Sequence, residues 1–166
     1  MTSEPYIEER PAVPYAAIRQ DVTMDGLAEV ADRIPEVFMW LSDRGARPAG
    51  APFLRYVVID MAGRTVVEAG VPVVEPVEGE GEVLAETLPA GRYATYTHVG
   101  PPDELVGVTA AMLGWGAREG LEWDMTATSE EERWACRLEI YRTDPSEQPD
   151  MDQWVTDLAF KLSRGA

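Results

Sequence analysis

Residues 11–27, PAVPYAAIRQDVTMDGL, return 78 positions later as PAGRYATYTHVGPPDEL at 89–105, sharing Pro, Ala, Tyr, Ala, Asp and Leu, six identities in seventeen positions. A chain that repeats itself at such an offset builds one supersecondary unit twice and packs the copies together. The elements that follow each copy agree. Leu27, Val30, Ala31, Ile34, Val37, Phe38 and Leu41 recur at three- and four-residue steps, the apolar stripe of one amphipathic helix that ends near Gly45 and should bend at Pro35. Leu105, Val108, Met112 and Trp115 form a similar stripe, opened by Pro101 and Pro102 and closed near Gly120. Trp40 and Trp115 fall 75 apart, as do Gly45 and Gly120, so the two helices read as counterparts.

After the first helix, FLRYVVID (53–60) and TVVEAGVPVV (65–74) are rich in β-branched and aromatic residues and flank the turn Met61-Ala62-Gly63-Arg64, which reads as a hairpin. After the second, WACRLEIYRT (134–143) and QWVTDLAF (153–160) form the matching pair around the turn-rich DPSEQPD. Each half is then strand, helix, strand, strand. The first half spans about 5–74 and the second about 83–162, with the acidic EPVEGEGE (75–82) as a solvated linker; SEEER (129–133) reads likewise as a solvated loop. The expected fold class is α+β: duplicated βαββ halves forming one antiparallel sheet with two helices on one face, the other face being covered, curved into a cleft or left wet.

At 166 residues the chain makes one domain, long enough to bury about two-thirds of its unfolded surface. Thirty acidic residues against fourteen basic ones give a net charge of −16, and Lys161 is the only lysine. Such a balance disfavours nucleic-acid backbone binding and suits a cationic small molecule better. The N-terminal MTSEPYIEER carries acids where a secretory signal needs a basic start, and no eighteen apolar residues run together, so a soluble cytoplasmic protein is expected, monomeric or homodimeric.

Cys136, the only cysteine, excludes an intrachain disulfide and reads as inert core packing. His98, the only histidine, reads as a local hydrogen-bonding residue. Without a nucleophile motif such as GxSxG or a His/Asp/Glu cluster at metal spacing, serine-hydrolase and metal-dependent chemistry are disfavoured and no cofactor is expected.

In 134–143, Trp134, Cys136, Leu138 and Ile140 alternate with Ala135, Arg137, Glu139 and Tyr141, the period of a two-faced strand. From pattern alone Glu139 is a solvent-side residue paired with Arg137 or Arg142.

The chain resembles the GyrI-like small-molecule-binding domains, the effector-binding domains of AraC- and MerR-type multidrug regulators, from about Tyr6 to Leu162. The resemblance is carried by AGVPVV, LPAGRYATYTHVGP, LEIYRTDP and QWVTDLAFKL in that order. It implies the same duplicated βαββ, SHS2-like architecture, with two helices on one face of the sheet and a ligand cleft on the other, aromatic-lined, between the halves, with a glutamate facing organic cations. Glu139 lies where that glutamate is expected; Tyr141 shares its strand face, and Trp154 matches an aromatic of the closing strand. Tyr15, Tyr56, Tyr93 and Trp115 are further candidates, each sensitive to a one-residue slip.

Regulators of the family carry a DNA-reading domain ahead of the pocket. Here about five residues precede the first strand, so direct DNA binding is not expected. The resemblance implies a stand-alone protein that binds or sequesters hydrophobic, often cationic, drug-like molecules. Two alternatives stand beside it. Some members resemble hydrolases of cyclopropane-bearing, DNA-alkylating natural products, in which Glu139 would orient water or act as general base and Tyr141 would donate to a carbonyl gaining negative charge. The other is an acidic inhibitor of a topoisomerase.

Overall fold

The β-branched and aromatic runs become strands and the two apolar stripes become helices. In chain order these are β1 (Tyr6–Arg10), β2 (Val13–Thr23), α1 (Leu27–Ala31), α2 (Ile34–Asp43), β3 (Phe53–Asp60), β4 (Arg64–Pro72), β5 (Val83–Leu88), β6 (Gly91–Val99), α3 (Leu105–Arg118), β7 (Met125–Ala127), β8 (Glu131–Trp134), β9 (Arg137–Tyr141) and β10 (Val155–Lys161). They come from a computed structural model that describes residues 4–60 and 62–163. Met61, in the expected turn between β3 and β4, lies outside the described residues. Among the described residues no helix is long and apolar enough to cross a membrane.

All strand pairs are antiparallel, in the order β1-β6-β10-β9-β3-β4-β2-β5, with β8 on β3 and β7 on β8. β5 is an edge strand and β6 lies one in from the opposite edge, yet only Pro89 and Ala90 join them. So short a connection forces the sheet to curl until its edges approach, giving a half-barrel. Inside the curl Tyr15, Ala17, Phe53, Leu88, Tyr93, Cys136, Leu138 and Ala159 pack on one another. Gly70 is part of that packing, since a Cβ there would stand 2.5 Å from the Phe53 ring.

Directly paired residues share a sheet face, so Ile18, Ala69, Leu54, Glu139, Leu158 and Tyr96 form one row across the other face. All the helices lie on it. α1 and α2 cover β2 and β4, and α3 covers β6, leaving the central strands β3, β9 and β10 between them.

Three expectations are corrected. The first helix is two helices: α1 stops at Asp32 and Arg33, and Pro35, with no N–H to donate, sits in the first turn of α2 where none is needed. The run 134–143 is two strands. β8 ends at Trp134, the Ala135 N–H bonds Asp124 O instead of a neighbouring strand, and β9 begins at Arg137. That break puts Trp134 on the helix face, with Phe160 and Leu158, while Cys136 and Leu138 face the interior of the curl. Part of SEEER is strand rather than loop, because β8 pairs with both β3 and β7.

Candidate functional site

The face expected to carry the cleft is filled by the packed interior of the curl, with a cavity of only about 80 Å³ beside Leu88, Tyr93 and Leu138. A cleft of about 1190 Å³ opens instead on the helix side, over the central strands. Its floor is Leu54 and Tyr56 from β3 and Arg137, Glu139 and Tyr141 from β9; Phe38 and Met39 of α2 wall one side, and Leu105 and Val106 of α3 the other. Most of this lining is apolar, as a small-molecule site requires. Met39 and Val106 are strongly exposed, at 66% and 76%, and give the mouth an apolar rim.

At the floor the Tyr56 hydroxyl donates to Glu139 Oε2 at 2.9 Å and the Tyr141 hydroxyl donates to Oε1 at 2.8 Å. Each carboxylate oxygen therefore holds one phenol proton. Burial pushes the Glu139 carboxyl above its ordinary range, against the opposing pull of the Tyr141 and Tyr56 hydrogen bonds and the Arg137 charge. Both phenols are pushed well above theirs, by burial first and then by the Glu139 charge, and stay protonated. Glu139 makes no salt bridge with Arg137 or Arg142. Arg142 pairs with Asp157 at 3.6 Å.

The Arg137 guanidinium lies over three rings, 4.8 Å from the centroid of Phe160, 4.9 Å from Trp134 and 5.4 Å from Tyr56. Burial lowers its pKa from the ordinary arginine value, while Tyr56, Glu132 and Glu139 act in the other direction.

Four of the seven sequence-derived candidates meet at the cleft: Glu139, Tyr56, Tyr141 and Trp154, the last anchored by its indole N–H to Gln148 O at 2.7 Å. Tyr15 and Tyr93 lie on the opposite sheet face. There the Tyr15 hydroxyl donates to the fully buried Glu68 at 2.5 Å and accepts from Arg55 Nη1 at 2.6 Å, and Arg19 also donates to Glu68. The Tyr93 hydroxyl donates to Pro89 O at 2.6 Å. Trp115 packs in the cluster beneath α3 with Met112 and Trp123 and does not line the cleft. Cys136 is fully buried, its thiol pushed up by burial, and His98 bonds Glu104 at 3.0 Å. Among the described residues no group of three or more His, Cys, Asp or Glu is placed to hold a metal ion.

The sequence reading does not single out Arg137 as a site residue, and it places Phe38 and Leu105 only in the apolar stripes of the two helices. The clue for Arg137 was positional: it shares a strand face with Glu139 and Tyr141.

A model of the GyrI-like small molecule binding domain matches residues 3–163. No curated protein matches the chain. Among solved structures, the C-terminal domain of EcmrR is similar at a TM-score of 0.76 and 18% identity, covering 98% of this chain and 99% of that one. SAV2435 bound to tetraphenylphosphonium is similar at 0.66 and 9% identity, covering 97% and 94%. A hydrolase from Listeria innocua is similar at 0.62 and 18%, covering 96% and 92%. At these identities the structural likeness is one of fold.

Proposed function

Because this chain belongs to the GyrI-like small-molecule-binding domain family, we propose that it takes up hydrophobic, often cationic, drug-like molecules in the cleft over β3, β9 and β10, sequestering them in the cytoplasm. The observation that carries the reading is Glu139, held by two phenols at the floor of a mostly apolar cleft of about 1190 Å³. A carboxylate about 4 Å from a ligand cation contributes on the order of 4 kcal/mol at an effective dielectric near 20, and each aromatic face roughly 0.5–2 kcal/mol more. Tyr56, Tyr141 and Trp154 are the aromatic partners in this account. The solved complex of SAV2435 with tetraphenylphosphonium, a lipophilic cation, supports the ligand class.

The two halves, about 5–74 and 83–162 joined by 75–82, are read as repeated βαββ units. The sheet order supports this: β6-β10-β9 on one side mirrors β2-β4-β3 on the other, with a helix after the first strand of each set. The second set departs from the first by the β7 and β8 insertion. The ligand would then sit across the join of the halves, where β3 meets β9.

Titration of a planar cationic dye against wild type and Glu139→Gln tests the reading. Wild type should bind about 10- to 100-fold more tightly, a fraction of the ideal Coulomb gain. Equal affinities would remove the carboxylate from the account.

One observation favours a second reading. A buried carboxyl whose proton affinity is raised is suited to acid–base work, and the fold is shared with a hydrolase from Listeria innocua. In that reading Glu139 activates water against a strained cyclopropane ring. Unchanged cyclopropanoid after incubation with stoichiometric protein would end it.

A further inference from the structure

The cleft floor carries two polar centres of opposite kind. Both oxygens of Glu139 already accept phenol protons, and each phenol spends its one proton there, so this centre can only accept from a ligand. Arg137, two positions earlier on the same strand face, can only donate. Its guanidinium makes no hydrogen bond or salt bridge among the described residues, and its Nε is buried without a partner. Arg10 and Arg55 also leave a buried Nε without a partner, but their guanidinium groups are engaged elsewhere, Arg10 with Glu8 and Arg55 with Tyr15 and Ala135 O; Arg19 pairs with Glu68 and Arg142 with Asp157. Arg137 is instead fixed by the faces of Phe160, Trp134 and Tyr56, which hold a cation without neutralising it. A positioned guanidinium fork that lines a cleft and lacks an internal acceptor is a preformed site for an anionic or strongly polarised oxygen.

The geometry points to a ligand that is flat and apolar but also carries an acceptor oxygen, a carboxylate or phenolate, seated on Arg137 while its cationic or donor group faces Glu139. This rests on the small-molecule-binding reading and narrows it from simple lipophilic cations to molecules bearing both groups. Arg137 is on this account a specificity-determining residue. The two α-carbons are about 7 Å apart along the strand, which is within the span of a fused ring system.

A matched pair of dyes tests it: a zwitterionic rhodamine with a free carboxylate, and its methyl ester with the same xanthene cation. Fluorescence anisotropy with the full chain at moderate salt reads both affinities. The chain's net charge of −16 opposes the carboxylate form, so any preference for it has to come from a local contact. Wild type should bind the zwitterion about tenfold more tightly than the ester, the scale of one charge-assisted hydrogen-bond pair. Arg137→Gln should bring the two affinities within about twofold of each other, the ratio between the two dyes rather than either affinity alone being the readout. Arg137→Lys, which keeps the charge and loses the fork, should retain part of the preference and serves where the glutamine variant does not fold. Equal wild-type affinities, or a preference that survives in Arg137→Gln, would overturn this inference alone. Binding of neither dye by wild type would overturn the small-molecule reading as well.

Discussion

Tyr56 and Glu139, 83 residues apart in the chain, meet at 2.9 Å across the β3–β9 junction, with the phenol donating to the carboxylate. Tyr141 closes the other oxygen at 2.8 Å from within β9 itself. The carboxylate is thus held by two side chains rooted in paired strands, and its position does not depend on a loop. Such a group meets a ligand without reorganising, which is where a rigid site gains over a flexible one.

Cation binding should fade on acidification at a pH above the ordinary carboxylate range. Only ionised Glu139 attracts a cation, and burial raises its pKa above the usual value of about 4.3. Affinity is therefore full above the raised pKa and lost as pH falls through it. Dye titrations in steps between about pH 4 and 8 should show that loss for wild type, with Glu139→Gln flat throughout. A wild-type midpoint at or below the model-peptide value would contradict the burial account.

Tyr56→Phe and Tyr141→Phe should each move that midpoint upward. Both hydroxyls donate to the charged form, so removing either leaves the carboxylate easier to protonate. The double variant should move it further than either single change. A midpoint unmoved in the double variant would mean that the phenols orient Glu139 without stabilising its charge.

The sequence made some of this legible and hid the rest for physical reasons. FLRYVVID was readable to the residue as β3, because β-branched and aromatic side chains fill both faces of a central strand. Alternation placed Glu139 and Tyr141 together, since a strand's period of two holds over 137–141. It failed one step earlier, where the Ala135 N–H turns to Asp124 and sends Trp134 to the opposite face from Cys136. The side of the cleft was also hidden. Phe38 and Leu105 belong to apolar stripes, and a stripe reports which residues leave water without saying whether a neighbour or a cavity receives them. Tyr15 and Tyr93 carry the same chemistry as Tyr56, but the curl set by the two-residue β5–β6 connection turns them into a second interior.

Glu139→Gln should stabilise the unliganded protein at neutral pH while weakening it as a binder. A carboxyl whose folded pKa is raised contributes stability that is present below the unfolded pKa and lost as pH rises through the folded one. At pH 7 the wild type therefore carries a cost that the neutral amide lacks, and the glutamine oxygen and amide can still engage the two phenols. Calorimetry should show a gain of about 0.5–2 kcal/mol, a Tm rise of about 2–6 °C. The difference should vanish in acid, where both side chains are neutral.

Glu68 provides the opposite case on the other sheet face. It is fully buried, and accepts from the Tyr15 hydroxyl and from both Nε and Nη2 of Arg19, while Arg55 Nη1 lies 3.8 Å away. Arg19 is 41% exposed and can turn to water when its partner is removed, but Arg55, at 13%, cannot. Glu68→Ala leaves the half-exposed Glu86, also 3.8 Å from Arg55 Nη1, as the remaining carboxylate beside that buried cation, and should cost about 1–3 kcal/mol, read as a lowered midpoint in urea. The network faces the interior of the curl and shares no side chain with the cleft. Dye affinity measured well below the unfolding transition should accordingly stay within about twofold of wild type. A large loss of affinity in the folded variant would mean that the two faces of the sheet are coupled through β3, where Arg55 and Tyr56 are neighbours pointing to opposite sides.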